Sequence, residues 1–349
     1  MIVVNARFLT QNVSGVQRFA FEISCQLKKL YHDDILFLAP SNIIRSNYTE
    51  QLVPKLIGKY TGYIWEQYEL PHYLRKNGSP LLINLCNLAP VAYKNKISTI
   101  HDITFVKYPK DYPIRMRWIY NILIPFILKT SSKIVTVSNF SKDEISDYYK
   151  ISKDRISVVY NAVNASFSPK RNEQLLREKY ILAFASTGEN KNFEMIMSSF
   201  LEVTEQCKNL KLYIVGECHR DRKYAVYKKC KNIIFKGRVN DDELISLYSN
   251  AIVFLYPSLY EGFGIPVIEA QTCGCPVIAS NVSTFPEIVG TSALCLEPHN
   301  RKSFVNAIIS LCNDVELRDK YIKLGFENVS RFSWQKSGEE LIRIINNLL

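Results

Sequence analysis

The sequence has little from which to build a disulfide scaffold, a metal site or a membrane span. Its nine cysteines, at 25, 86, 207, 218, 230, 273, 275, 295 and 312, include no C-x-x-C pair. Most lie in apolar segments, as reduced core thiols do, and Cys273-Gly274-Cys275 has no second Cys/His pair at zinc-site spacing. That pattern implies a reducing compartment such as the cytoplasm. The best span candidate, WIYNILIPFILK (118–129), is too short for a bilayer crossing, which takes about 20 residues. MIVVNARFL lacks a basic stretch followed by a long apolar run, so no secretory signal is expected. There is no D-x-D pair of carboxylates, no solenoid-length repeat and no low-complexity segment. No aromatic RNA-binding motif, helix-turn-helix signal or zinc pattern points to nucleic acid.

What is present is an ordinary globular composition, 47% apolar and 22% charged, over 349 residues. That length suggests two domains, each with its own core. The net charge of +11 is uneven: residues 1–170 carry 22 basic against 12 acidic side chains, and residues 171–349 carry 22 against 21. A basic first half suits an anionic partner, whether a phosphorylated ligand, nucleic acid or an acidic membrane surface. The alternative is a solubilising surface charge.

Short β-branched runs alternate with helical patterns. Candidate strands fall at 2–7, 35–40, 81–86, 97–102, 133–138, 155–161, 181–186, 211–216, 232–237, 251–257, 276–280 and 293–298. Their apolar residues are continuous rather than alternating, as in parallel sheets covered on both faces. Twelve strands exceed one ordinary open sheet, so two Rossmann-like doubly wound domains are expected. The polar stretch NASFSPKRNEQ (164–174) marks the boundary, giving domains 1–168 and 169–331. A closing amphipathic helix in 332–349, with Leu341, Ile344, Ile345 and Leu348 on one face, is expected to pack back toward the first domain.

Ligands of such sheets bind at the carboxyl ends of strands, and four junctions there carry unusual chemistry. Gly15, with Arg18 one turn later, opens a helix where an amide can meet a phosphate; a tight turn explains the glycine equally well. His101 and Asp102 end a buried strand, where an imidazole can contact a ligand or move a proton, or form a structural pair with the aspartate. Lys191 opens a helix, an unfavourable place for a cation unless an anion is near. A solvated lysine is the plain alternative.

The fourth junction, SLYEGFGIPVIEAQTCGCPVIAS (258–280), places a glutamate on each side of FGIPVI in an apolar stretch. A buried carboxylate without a partner costs several kcal/mol or gives up its charge, so Glu261 and Glu269 need water or a ligand. Gly262 and Gly264 leave amides accessible, Pro266 suits the first helical position, and a carboxylate can accept from both hydroxyls of a vicinal diol.

YEGFGIPVIEA, with its E-x7-E spacing, together with CGCPVIAS and FPEIVG, resembles the retaining glycosyltransferases of family 4, which have the two-domain GT-B architecture. SGVQRF is similar to the glycine loop of that family, TIHDITFVKYP to its active-site histidine segment, and GENKNFEMIMSSF to its basic loop. VTVSNFSKDEI, RISVVYNAVN, FKGRVNDDELISLYSNAIVFLYPS and FSWQKSGEEL agree in the same order, over nearly the whole chain. The resemblance implies two Rossmann-like domains facing across a cleft and a nucleoside-diphospho-sugar transferase. It implies that Glu269 holds the donor ribose, that Glu261 lies near the sugar, and that the amides of Phe263, Gly264 and Ile265 meet sugar hydroxyls and phosphate. Lys191 would neutralise the diphosphate, Gly15 would approach it from the first domain, His101 would contact the transferred sugar with Asp102 in support, and Val239 would meet the base. Asn190 stands where the family usually has an arginine, so one charge at the diphosphate is missing unless Arg18 or Arg238 supplies it.

The expected reaction needs no cofactor and, without a D-x-D motif, no metal: Lys191, the Gly15 amide and the helix start behind Gly264 would stabilise the leaving group. Retention comes from the resemblance; no residue announces itself as a covalent nucleophile. The donor is GDP-mannose or, close behind, a UDP-hexose, because SGVQRF…HDITF is similar to bacterial mannosyltransferases of surface polysaccharide and O-antigen assembly. The acceptor is a saccharide or lipid-linked saccharide, and an anionic membrane surface is a further partner through YPIRMRWIYNILIPFILK, which reads as an interfacial helix or a buried one. Rivals are a nucleotide-sugar 2-epimerase of the same architecture and a basic nucleic-acid-binding protein. Without donor, both carboxylates of the E-x7-E segment are expected to face water.

Overall fold

The structure is a computed structural model that describes residues 2–44, 46–176, 178–185, 188–216 and 227–349. It divides into two compact units, one of residues 1–107, 112–161 and 333–349, the other of residues 108–111 and 162–332. The division follows Asn161 rather than falling in 164–174, because that polar stretch is tied into the second unit. The backbone amides of Lys170 and Asn172 donate to Ser249 and Asn250 at 2.9 and 3.1 Å.

The first unit holds seven parallel strands: β1 (Ile2–Asn5), β2 (Ile35–Ala39), β3 (Lys55–Leu56), β4 (Leu81–Asn84), β5 (Lys96–Thr99), β6 (Lys133–Thr136) and β7 (Ile156–Val158). Their order is β3-β2-β1-β4-β5-β6-β7. Every expected strand of this unit is present; β3 was not legible because it is two exposed residues held only by pairing beside Leu38 and Ala39. The second unit holds β8 (Tyr180–Phe184), β9 (Lys211–Val215), β10 (Ile233–Gly237), β11 (Val253–Tyr256), β12 (Val277–Ser280) and β13 (Leu294–Leu296), in the order β10-β9-β8-β11-β12-β13. Ser186, expected at the end of β8, lies outside the described residues. Both sheets reverse strand order once, between β1 and β4 and between β8 and β11, and such switch points are where doubly wound sheets bind ligands.

Central strands read as continuous apolar runs because both faces are covered: β1, β4, β11 and β12 are buried at every residue. Helix α1 (Gly15–Tyr31) follows β1, and α2 (Ile114–Thr130) precedes β6. In the second unit α3 (Phe193–Gln206) buries Phe193, Ile196, Met197, Phe200 and Val203, one stripe at helical spacing, in the core beside β8 and β9. Helix α4 (Asp241–Asn250) starts at a capping box in which Asn240 Oδ1 accepts from Glu243 N at 2.9 Å and Asn240 N donates to Glu243 Oε2 at 3.1 Å. Helix α5 (Ile265–Thr272) follows β11.

The closing helix α6 (Trp334–Asn346) belongs to the first unit and packs on α1. Ser333 caps it, and Leu341, Ile344 and Ile345 are buried as the periodicity predicts. Leu348 is exposed instead, because the helix ends at Asn346. Gly338 makes the close approach possible: a Cβ there would lie 2.6 Å from Cβ of Gln26.

Candidate functional site

At the switch point of the second sheet, the loops after β8 and β11 bring Lys191 and Glu261 together. Lys191 Nζ lies 2.5 Å from Glu261 Oε1, and the same oxygen accepts from the Tyr256 hydroxyl at 2.7 Å. Ser258 Oγ sits 2.8 Å from it, 2.9 Å from the Asn190 carbonyl and 3.4 Å from the Tyr260 carbonyl, one proton among three acceptors. The side-chain contacts of Glu261 all go to Oε1, and Oε2 makes no hydrogen bond among the described residues. Ser283 holds the loop by accepting from Glu261 N and donating to Glu261 O, both at 2.9 Å.

Burial pulls the Lys191 ammonium down, but the Glu261 charge and the Tyr256 contact outweigh it, so its pKa is raised and the charge is retained. Burial, then the Glu261 charge, pushes the Tyr256 phenol up and keeps it a donor. The lysine side chain is 29% exposed against 13% for the glutamate, so the cation is reachable from solvent.

Asn190 is buried and spent on the loop. Its Nδ2 donates to Tyr260 O at 3.0 Å, and its carbonyl accepts from Leu259 N at 2.6 Å. The departure from arginine thus coincides with a side-chain amide committed to the neighbouring loop. Asp111, in the short segment grouped with this unit, accepts from the amides of Glu189 and Asn190 at 2.9 and 3.3 Å. Gly262, Phe263 and Gly264 form the turn before α5, and Ile265 is its first residue, with Pro266 second. Gly264 has φ +88°, and a Cβ there would lie 3.0 Å from the Phe285 ring. Only glycine suits both constraints.

The expectation that both carboxylates face water does not hold. Glu261 is gripped as described, and Glu269, inside α5, is 5% exposed. Its charge, after burial, contributes to raising the Tyr248 hydroxyl and the Cys273 thiol. Val239 is half-buried just before the α4 cap, and Arg238 beside it is exposed.

In the first unit His101 follows β5 and is buried. Its Nε2 lies 3.0 Å from Leu85 O, its backbone amide donates to Asn87 Oδ1 at 2.8 Å, and its ring meets the Phe19 edge at 5.0 Å. A carbonyl only accepts, so Nε2 carries the proton. Burial lowers the pKa despite that hydrogen bond and the Asp102 charge. The ring is a neutral imidazole with Nδ1 as acceptor. Asp102 Oδ1 accepts from Thr104 N at 2.8 Å. Gly15 is the exposed first residue of α1 after Ser14, and Arg18 N donates to Ser14 O at 2.9 Å.

Sequence reasoning missed Tyr256 and Ser283, and, at the first switch point, Asn5, Arg7 and Glu66. The polar Asn5 ending a wholly apolar strand was the one available signal.

Two doubly wound parallel sheets, the second carrying a locked cation and carboxylate at its switch point, define the GT-B class of glycosyltransferase fold. Residues 13–167 match the model described as Glycosyltransferase Family 4, and residues 166–328 match that described as Glycosyl transferases group 1, so β2–β7 and β8–β13 each fall in a glycosyltransferase domain model. The O-antigen chain mannosyltransferase RfbU of Salmonella typhimurium strain LT2 is 27% identical over 330 residues, 88% of this chain and 90% of that protein. Sucrose-phosphate synthase from Thermosynechococcus elongatus superposes with a TM-score of 0.75 at 18% identity, covering 99% of this chain and 98% of its own. Anabaena HepE in complex with UDP and glucose superposes with a TM-score of 0.73 at 14% identity, covering 99% of each chain.

Proposed function

We propose that this glycosyltransferase moves a hexose, mannose in the favoured case, from a nucleoside-diphosphate sugar to a saccharide or lipid-linked saccharide in O-antigen or related surface-polysaccharide assembly. The observation that carries the reading is the Lys191–Glu261 pair at the second switch point. Cleaving a glycosyl–phosphate bond builds negative charge on the diphosphate. A lysine held charged and partly exposed, together with the start of α5 behind Gly264, supplies positive potential without a metal. The free Oε2 of Glu261 is suited to a sugar hydroxyl. Glu269 is assigned to the ribose, the Phe263, Gly264 and Ile265 amides to sugar and phosphate, and Val239 to the base. Gly15 and Arg18 are assigned to the diphosphate, and His101, supported by Asp102, to the transferred sugar. With Nε2–H committed to Leu85, His101 serves as a hydrogen-bond acceptor through Nδ1.

The relationship to RfbU favours GDP-mannose, and HepE bound to UDP keeps a UDP-hexose as the alternative. Retention follows from same-face attack by the acceptor, whose proton passes to the leaving phosphate. Radiolabelled GDP- and UDP-sugars offered with a lipid-linked oligosaccharide pool test the reading. Transfer from GDP-mannose, indifferent to EDTA and giving an α-linked product by NMR, is expected. No transfer from any sugar nucleotide sinks it, and an inverted anomer removes the retaining mechanism.

Among the described residues no helix is long and apolar enough to cross a membrane. Helix α2 nonetheless exposes Ile114, Trp118, Ile122 and Phe126, spaced four apart, while Tyr120, Ile124, Ile127 and Leu128 are buried. With Arg115 and Lys129 exposed on the same helix, this stripe supports docking on an anionic bilayer surface, where a lipid-linked acceptor would be met.

A further inference from the structure

Ahead of β6 the first unit is interrupted by four residues, Tyr108 to Asp111, that group with the second. Pro109–Asp111 forms a 3₁₀ turn, and it packs on another, Glu189–Lys191, in the loop after β8. Asp111 Oδ1 accepts from Glu189 N at 2.9 Å and Oδ2 accepts from Asn190 N at 3.3 Å, so one carboxylate closes on two successive amides. Lys110 Nζ lies 3.5 Å from Glu189 Oε1, an exposed pair that adds little. The Tyr108 ring meets the ring of Tyr260, in the loop after β11, at 6.0 Å. This strap therefore touches both loops that carry the Lys191–Glu261 pair.

The first amides of a helical turn have no partner inside it and need an acceptor from elsewhere. Gly188 precedes the Lys191 turn and has no side chain to offer; Asp111 supplies the oxygens instead. The glycine also admits the carboxylate, because a Cβ at residue 188 would lie 2.7 Å from Asn190 Oδ1 and 3.0 Å from Asp111 Oδ2. A carboxylate gives charge-assisted bonds to both amides at once, which a single serine or amide oxygen does not. On another side the same turn is tied to the β11 loop, where Asn190 Nδ2 donates to Tyr260 O and Leu259 N donates to Asn190 O. Lys191 closes the turn, its amide donating to Gly188 O at 3.1 Å. From that backbone its Nζ reaches Glu261 Oε1 and lies 3.4 Å from the Tyr256 hydroxyl. A long side chain could reach the glutamate from several backbone positions, but few of them meet both partners.

We propose that Asp111 is a positioning residue for the transfer: it holds the turn that aims the Lys191 ammonium at Glu261 and at the donor diphosphate, without touching the donor itself. The proposal rests on the transferase reading and adds the residue that sets the place of its cation. Since Lys107 and Tyr112 on either side of the strap belong to the first unit, the donor loop is set by chain outside the second sheet.

Calorimetric titration of the full chain with GDP-mannose and with UDP-glucose tests it, together with hydrogen exchange of the peptide holding residues 188–192. Asp111→Ala is expected to weaken the sugar nucleotide that binds wild type roughly tenfold, and Asp111→Asn, which keeps one acceptor oxygen, to fall between. In a Lys191→Ala background, Asp111→Ala is expected to change that affinity by less than about twofold, because the cation it positions is gone. The amides of Glu189 and Asn190 are expected to exchange roughly tenfold faster in Asp111→Ala, whether or not Lys191 is present. An equal loss of affinity in both backgrounds gives Asp111 a general structural role and overturns the proposal. Unchanged affinity or unchanged exchange in Asp111→Ala overturns it as well. If wild type binds neither sugar nucleotide, the donor reading fails while the strap is still decided. In that case exchange and the coupling of Asp111 with Lys191 in urea unfolding are the readouts, and additive unfolding effects overturn the positioning role.

Discussion

Lys191 Nζ and Glu261 Oε1, seventy positions apart in the chain, meet at 2.5 Å where the second sheet reverses its strand order. The contact leaves one carboxylate oxygen closed and the other open. The first switch point repeats that division with Arg7 and Glu66.

Because the pair acts as a unit, Lys191→Ala and Glu261→Ala each reduce turnover by about 10²-fold or more, and the double variant is scarcely worse than either. A double-mutant cycle on unfolding free energy gives a coupling of about 0.5–3 kcal/mol. Steady-state rates and urea melts read both. Single variants within threefold of wild type, at full donor binding, remove the pair from the mechanism.

His101 imposes a pH dependence on stability. Burial depresses its folded pKa below the unfolded value of about 6.5, so its contribution is fully present above that pH. It is lost as pH falls below 6.5 toward the depressed folded pKa, at up to about 1.4 kcal/mol per pH unit. Denaturation of wild type and His101→Asn between pH 8 and 5 should show a shallower acid slope in the variant. Parallel slopes would falsify a neutral buried imidazole.

Of the three tryptophans, Trp65 and Trp334 are buried and Trp118 is 65% exposed. Anionic vesicles should therefore blue-shift the emission and protect it from acrylamide, and Trp118→Phe should abolish both effects. Equal response to neutral and anionic vesicles would sink charge-assisted docking by α2. Vesicles without effect would sink docking itself.

Gly264→Ala puts a Cβ at φ +88° and 3.0 Å from Phe285, costing about 1–3 kcal/mol. The turn that presents the Phe263 and Ile265 amides should shift with it, so sugar-nucleotide affinity falls as well as melting temperature. Gly338→Ala, against Gln26, should lower the melting temperature and leave donor affinity unchanged. Equal loss of donor affinity in both would show that stability, not the turn, is what Gly264 protects.

Much of the fold was legible because a buried parallel strand has no solvent face and writes itself as an unbroken apolar run. All twelve such runs became strands, whereas β3 has no apolar signature to read. The amphipathic α6 was legible up to Leu348, which helix length decided rather than periodicity. At the site, Lys191 and Glu261 were legible as charges out of place. Their partners Tyr256 and Ser283 look like an ordinary strand end and an ordinary loop serine. Glu66 was hidden for the same reason: a glutamate in YIWEQYEL reads as a helix's wet face until Asn5 and Arg7 close on it.

The sequence by itself determined two parallel-sheet domains and the segments that chemistry requires at strand ends, since both follow from local periodicity and from charges placed in apolar surroundings. Only tertiary structure decided which oxygen of each glutamate is free, that Asn190 serves the loop, and that Glu269 is buried. Those outcomes depend on which distant side chains the strand order brings within 3 Å, and nothing local in the chain specifies that distance.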